Sequence, residues 1–121
     1  MQIKKIDGEF SVAKVADFSK IDLNNPFTFT AATDEELSLV CPSACVPENT
    51  LTVDSGWRAF RIEGVLDFSL IGILSEISGI LAENKIGLFA VSTFNTDYIL
   101  VKIENYAKAL SALSENGYKT I

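Results

Sequence analysis

With 121 residues, 48% apolar and 21% charged, the chain has the makings of one small globular body or of two very small subdomains sharing a core, and it is not a disordered sequence. A formal charge of −6 without clustered Lys and Arg argues against a nucleic-acid partner, and the lack of histidine removes the commonest general base and metal ligand. No apolar run approaches a membrane span and MQIKKIDGEF lacks a signal-peptide core, so the expectation is a cytosolic protein with no membrane partner.

Residues 1–8 read as a polar lead carrying Ile3 and Ile6 and closed by Gly8. Glu9 to Ala16 alternates and is β-branched, which predicts a strand. The following DFSKIDLNNP is too short and too rich in Asp, Asn and Pro for more than one helical turn. Phe27 to Thr33 and Leu37 to Cys41 read as short strands around an acidic turn in which Asp34 can bond its own backbone. Cys41 and Cys45, spaced CPSAC, are expected to be free thiols, buried or half-buried, because two thiolates without histidine cannot complete a four-ligand zinc site. The Pro-bounded segment around them predicts one helical turn. Leu51 to Val53 is extended, and Asp54, Ser55 and Gly56 predict a turn that divides the chain into 1–56 and 57–121.

Trp57 to Val65 alternates, Phe60 and Ile62 against Ala59, Arg61 and Glu63, which predicts a half-buried strand. Leu70, Ile73, Leu74, Ile77, Ile80 and Leu81 then recur at helical spacing, with Ser69 expected as N-cap and Asn84 or Gly87 as terminator. Gly72 and Gly79 within this helix suggest a close approach by a neighbouring element or, at Gly72, by a ligand. Ile86 to Phe94 and Tyr98 to Ile103 predict a hairpin across Asn95, Thr96 and Asp97. A helix through Tyr106, Ala109, Leu110 and Leu113, stopped by Asn116 and Gly117, leads to a last strand, Tyr118 to Ile121.

The order βαββαβ predicts an α+β, ferredoxin-like fold with a four-stranded antiparallel sheet and both helices on one face. Displaced by 61 residues, FTFTAATDEELSLV lies over LFAVSTFNTDYILV, which makes the first half a degenerate copy with its helices reduced to single turns. Two such copies set side by side would cover each other's open strand edge.

The stretch GVLDFSLIGILSEISGILAENKIGLFAVSTFNTDYILVK resembles an ACT domain. It looks like the small bacterial tandem-ACT proteins and the tandem-ACT arginine sensors of eukaryotic growth signalling, and ELSLVC with its Pro-rich turn fits the same group. Asp67 and Gly72 match the family's D-x-x-x-x-G loop, in which the Gly starts the helix. The resemblance implies a regulatory module that binds a free amino acid where ACT units meet, with no catalysis and no cofactor, and that assembles as a homodimer or larger. The first half is read as keeping no counterpart of the DFSLIG loop, so two equal sites per chain are not expected.

A zwitterion needs donors for its carboxylate and an acceptor for its ammonium. Asp67, Phe68, Ser69, Gly72 and Ile73 surround a helix start, where unpaired N–H groups suit an anion. Asp97, with Asp67, would take the ammonium or a cationic side chain, and Ser92, Thr93, Asn95 and Thr96 would complete a polar lining. Against this stand plain capping at Asp67 and Ser69 and plain turn chemistry at Asn95. Two other functions compete: an interaction domain that dimerises through an open sheet face at Trp57, Ala59 and Arg61, and an enzyme using Asp67 with Asp97, for which no nucleophile or metal set is apparent.

Overall fold

The computed structural model describes residues 1–63 and 72–121. In chain order they form β1 (Gln2–Val15), β2 (Phe29–Ala32), β3 (Leu37–Pro42), a single 3-10 turn (Ser43–Cys45), β4 (Thr50–Ile62), α1 (Ile73–Glu83), β5 (Phe89–Ser92), β6 (Asp97–Lys102), α2 (Ile103–Glu115) and β7 (Lys119–Thr120). They divide into two compact units, Gly8–Trp57 and a unit that joins Met1–Asp7 to Arg58–Ile121. No helix among the described residues is long and apolar enough to cross a membrane.

Within Gly8–Trp57 the strand order is β2-β3-β1-β4. β1 and β3 are antiparallel, Phe10 opposite Pro42 and Lys14 opposite Ser38, and β2 returns along β3 with Phe29 opposite Val40. One core cluster of this unit has Ala13, Val15, Leu39 and Cys41 buried, with Phe18, Ile21, Leu37 and Val46 packed around them. No α-helix forms here, because the two connections that would hold one are cut to turns by Asp, Asn and Pro. Buried Ser11 is kept satisfied by the hydroxyls of Ser43 (2.7 Å) and Ser55 (2.8 Å), and Ser43 in turn donates to Glu9 (3.0 Å).

In the larger unit the order is β1-β4-β6-β5, with β7 on the other side of β1. Both helices serve one core: Ile77, Ile80 and Leu81 of α1 and Tyr106, Ala109, Ala112 and Leu113 of α2 meet Ile3, Phe60, Ile62, Ile99 and Val101 of the strands. Phe60 and Ile62, and Ile99 and Val101, are two residues apart, so each pair presents one face of its strand to the helices. Fully burying side chains of this size is worth about 1.5–3 kcal/mol apiece, which makes this cluster the main hydrophobic source of stability.

Several local expectations change. Residues 2–8 are strand, not a polar lead: Gln2 and Ile3 pair in parallel with Lys119 and Thr120, the carbonyl of Gln2 accepts from the Glu63 N–H at 2.9 Å, and Ile3 is fully buried. These partners lie at the far end of the chain, beyond the reach of local pattern. β1 thereby separates β7 from β4, so the sheet here exceeds the four antiparallel strands expected and includes one parallel pair. Asp54, Ser55 and Gly56 make no turn; β4 runs straight through them, and its outer residues Leu51 to Ser55 are all exposed and give no alternation to read. Ala59 is buried rather than part of an open face, and its carbonyl accepts the Tyr106 hydroxyl at 2.8 Å.

The two hairpins share one plan. Every partner in the β5–β6 ladder stands 60 positions beyond its equivalent in β2–β3, so the 61-residue displacement is off by one. Burial along β3 and β6 is the same residue for residue. Thr33 and Thr93 close their loops alike, each N–H reaching the carbonyl three residues on, Glu36 at 2.9 Å and Thr96 at 2.8 Å. In the first loop it is the Thr33 hydroxyl, rather than Asp34, that takes the backbone N–H groups of Glu35 and Glu36.

Candidate functional site

At the end of β4 and the tip of the β5–β6 hairpin an open cleft of about 270 Å³ is lined by Arg61, Ile62, Glu63, Thr93, Asn95, Thr96 and Tyr98. Its size falls just under the range usual for small-molecule pockets, which suits a ligand of few atoms. The hairpin is held to the strand by Thr96, whose buried hydroxyl donates to the Ile62 carbonyl at 2.7 Å. The Thr93 hydroxyl donates to the Thr96 carbonyl at 2.8 Å and closes the loop. Both hydroxyls are thus engaged by the fold, while Asn95 is exposed in the lining.

The charged lining comes from the end of β4 and the residue just past it. Arg61 and Glu63 lie two residues apart, a spacing that turns both side chains to one face. The Arg61 Nε stands 3.2 Å from a Glu63 carboxylate oxygen, and its Nη1 donates to the Tyr98 hydroxyl at 3.1 Å. The Tyr98 hydrogen bond, helped by Glu63, raises the guanidinium above its ordinary value, so Arg61 carries its charge throughout. Its side chain is 25% exposed and that of Glu63 30%, so both heads remain within reach of solvent and of a ligand.

Of the residues expected to form a site, Thr93, Asn95 and Thr96 come together in this cleft. Ser92 and Asp97 sit opposite each other as the ladder pair next to the hairpin loop, where the Ser92 hydroxyl donates to Asp97 at 2.6 Å, and neither is among the lining residues. Gly72 is the N-cap of α1 rather than a residue inside it, with a φ of 89°, and Ile73 packs against the core. That left-handed backbone is what demands glycine at 72, and a Cβ there, as at Gly79, would meet nothing within 4 Å, so among the described residues neither glycine makes room for a neighbouring element. Asp67, Phe68 and Ser69, with the N-cap role expected of Ser69, lie outside the described residues.

Sequence reasoning passed over Arg61, Glu63 and Tyr98 as site residues. The available signal was a pair of opposite charges at i and i+2, on the strand that leads into the DFSLIG segment. It also passed over a counterpart of that segment: Asp17-Phe18-Ser19 repeats Asp67-Phe68-Ser69. The Asp17 carboxylate accepts the Ser19 N–H at 2.9 Å and the Ser19 hydroxyl at 2.5 Å, which hold its carboxyl below the ordinary value, and also the Asn49 amide at 3.1 Å. The hollow found in this unit, lined by Ile21, Asp22, Asn25, Thr28, Leu39, Cys41 and Cys45, is only about 10 Å³. That is room for about one water and for no amino acid. Cys41 and Cys45 are both free, the first buried and the second exposed rather than half-buried. Among the described residues no group of three or more His, Cys, Asp or Glu could hold a metal ion.

The ACT domain family matches residues 52–115. Over 66 residues the chain is 39% identical to the "Cytosolic arginine sensor for mTORC1 subunit 1" of Homo sapiens and to that of Bos taurus, which is 52% of this chain and 20% of the sensor. The chain therefore spans about a fifth of the length of the curated relatives it matches. Protein Atu0741 from Agobacterium tumefaciens, a crystal structure, shares 31% identity and a TM-score of 0.87 over 99% of this chain and 91% of that one. Aspartate kinase of Clostridium acetobutylicum, at 14% identity and a TM-score of 0.61 over 91% of this chain and 32% of the kinase, is alike in fold alone.

Proposed function

Because this chain belongs to the ACT domain family, whose members are in general amino-acid-binding regulatory modules, we propose that it is a non-catalytic sensor that binds a free amino acid in the cleft between β4 and the β5–β6 hairpin. The observation that carries the reading is the joining of hairpin residues Thr93, Asn95 and Thr96 with Arg61 and Glu63 in one open hollow, on the strand that runs into the D-x-x-x-x-G segment. On this reading Asp67, Phe68, Ser69, Gly72 and Ile73 complete the site, and Ser92 and Asp97 brace its hairpin wall. Asp97 also answers a cationic ligand side chain. Similarity to an arginine sensor supports an amino acid as the ligand class.

The equal register and burial of the two hairpins support the further reading of two ACT-like repeats, the first degenerate, with the repeat boundary proposed near Gly56. A cytosolic homodimer that passes the bound state to a partner protein completes the proposal.

A ligand that binds only the native state adds RT ln(1 + [L]/Kd), about 2.7 kcal/mol at a hundredfold excess over Kd, which shifts a domain of this size by several degrees. A melting scan of the full chain against the twenty common amino acids should therefore find at least one that raises the midpoint. Asn95→Ala and Asp97→Ala, both on a surface hairpin, should keep the unliganded midpoint and lose most of that response. If no amino acid moves the wild-type curve, the sensing function is wrong.

A further inference from the structure

Resting on the cleft as the ligand site, we infer that the Arg61–Glu63 pair is the receptor for the two α-groups of the ligand, so that the module reads the free amino acid as a dipolar ion and rejects its amides and its deaminated acids. Arg61 has five N–H donors in a planar fork. Among the described residues its Nε serves Glu63 and its Nη1 serves Tyr98, which leaves the remaining N–H groups for a carboxylate. Only one Glu63 oxygen is used by Arg61, so the other accepts an ammonium.

A zwitterion carries its own positive and negative heads a few bonds apart, and it pairs head-to-tail with an ion pair already fixed at that separation. Tyr98 matters to this. Its hydroxyl, from β6, holds the Arg61 fork across the strand boundary, so the receptor is organised before the ligand arrives and less ordering is lost on binding. An ion pair open to solvent on one side contributes little to folding by itself, so this half-buried pair, held in a cleft beside an exposed amide, Asn95, is better placed to bind than to stabilise. Both α-groups then make charge-assisted hydrogen bonds, and a molecule that presents only one leaves a charge of the pair unanswered.

The test uses the full chain, by calorimetric titration and melting scans. The probes are the twenty common amino acids, their carboxamides and the matching deamino acids. Wild type should respond to at least one free amino acid and bind its amide and its deamino form about tenfold or more weakly, the loss expected for one charge-assisted bond. Arg61→Gln and Glu63→Gln should each weaken the amino acid by a similar factor. Arg61→Gln should relax discrimination at the carboxylate, and Glu63→Gln at the ammonium, and this crossed pattern is one that a merely structural role would not give. Unliganded melting midpoints close to wild type establish that both variants fold. If the variant midpoints collapse, the analogue series on the wild type decides by itself. Equal binding of amide and free amino acid, or variants that respond as wild type does, would overturn the pair's assignment and leave the sensing function standing. Silence of the wild type toward every amino acid would sink both.

Discussion

Two cysteines four residues apart have opposite fates because one faces the core of its unit and the other faces water. Cys41 lies on β3, 1% exposed, and burial first, then the neighbouring Cys45, pushes its thiol up to about 11. Cys45 closes the 3-10 turn and is exposed, with the Asn25 amide 3.7 Å from its sulfur. Since the thiolate is the reactive form, the two should differ in rate as well as in access. In native protein at pH 8, a thiol-labelling reagent should modify one cysteine quickly and reach the second only after denaturant is added. Mass mapping should place the fast label on Cys45. Fast double labelling of the native chain would show that the β3 core opens readily.

At the scale of elements, α1 and α2 stop in the same way with unequal ease. After α2, Gly117 N–H meets the Ser114 carbonyl and Tyr118 N–H the Leu113 carbonyl; after α1, Lys85 meets Ala82 and Ile86 meets Leu81. Both are Schellman closures, each with its trailing hydrophobic residue buried against the core. The residue that must turn left-handed is glycine in α2, at φ 93°, but lysine in α1, at φ 59°. A side chain in that region costs about 1–2 kcal/mol, part of which glycine returns as unfolded-chain entropy. Lys85→Gly should therefore stabilise the protein by up to about 1 kcal/mol in urea denaturation. A loss of stability would mean that the Lys85 stem packs on the surface more than its position suggests.

For the whole molecule, the outermost strands bear on assembly. β2 and β5, at the ends of the strand orders of their units, read FTAA and FAVS, with no charge or proline to discourage pairing. Phe94 on the larger unit is 83% exposed, and Leu51 on the smaller is 63% exposed. These exposed apolar side chains and open edges support the proposed homodimer. Light scattering at micromolar concentration should give twice the chain mass, and Phe94→Ser should lower that value if the hairpin tip lies in the contact. A wild-type monomer at that concentration would remove assembly from the proposal.

The sequence by itself determined the elements whose signals are local. Period and capping found both helices, since Ile77, Ile80 and Leu81, or Ala109 and Leu113, recur at helical spacing and Asn84 and Asn116 end the runs. Alternation and turn chemistry found both hairpins, and the ACT resemblance rested on the stretch from Gly64 to Lys102, which ends in the second of them. What only the tertiary structure decided rests on partners distant along the chain. The first residues became strand because Lys119 and Thr120 pair with them, and Asp54 to Gly56 stayed strand despite turn-like composition because β4 continues through them. The cleft was half legible for the same reason. The hairpin residues Thr93, Asn95 and Thr96 announce themselves by turn chemistry, whereas Arg61 and Glu63 read as the solvated face of a strand until the hairpin folds beside them and Tyr98 fixes the guanidinium.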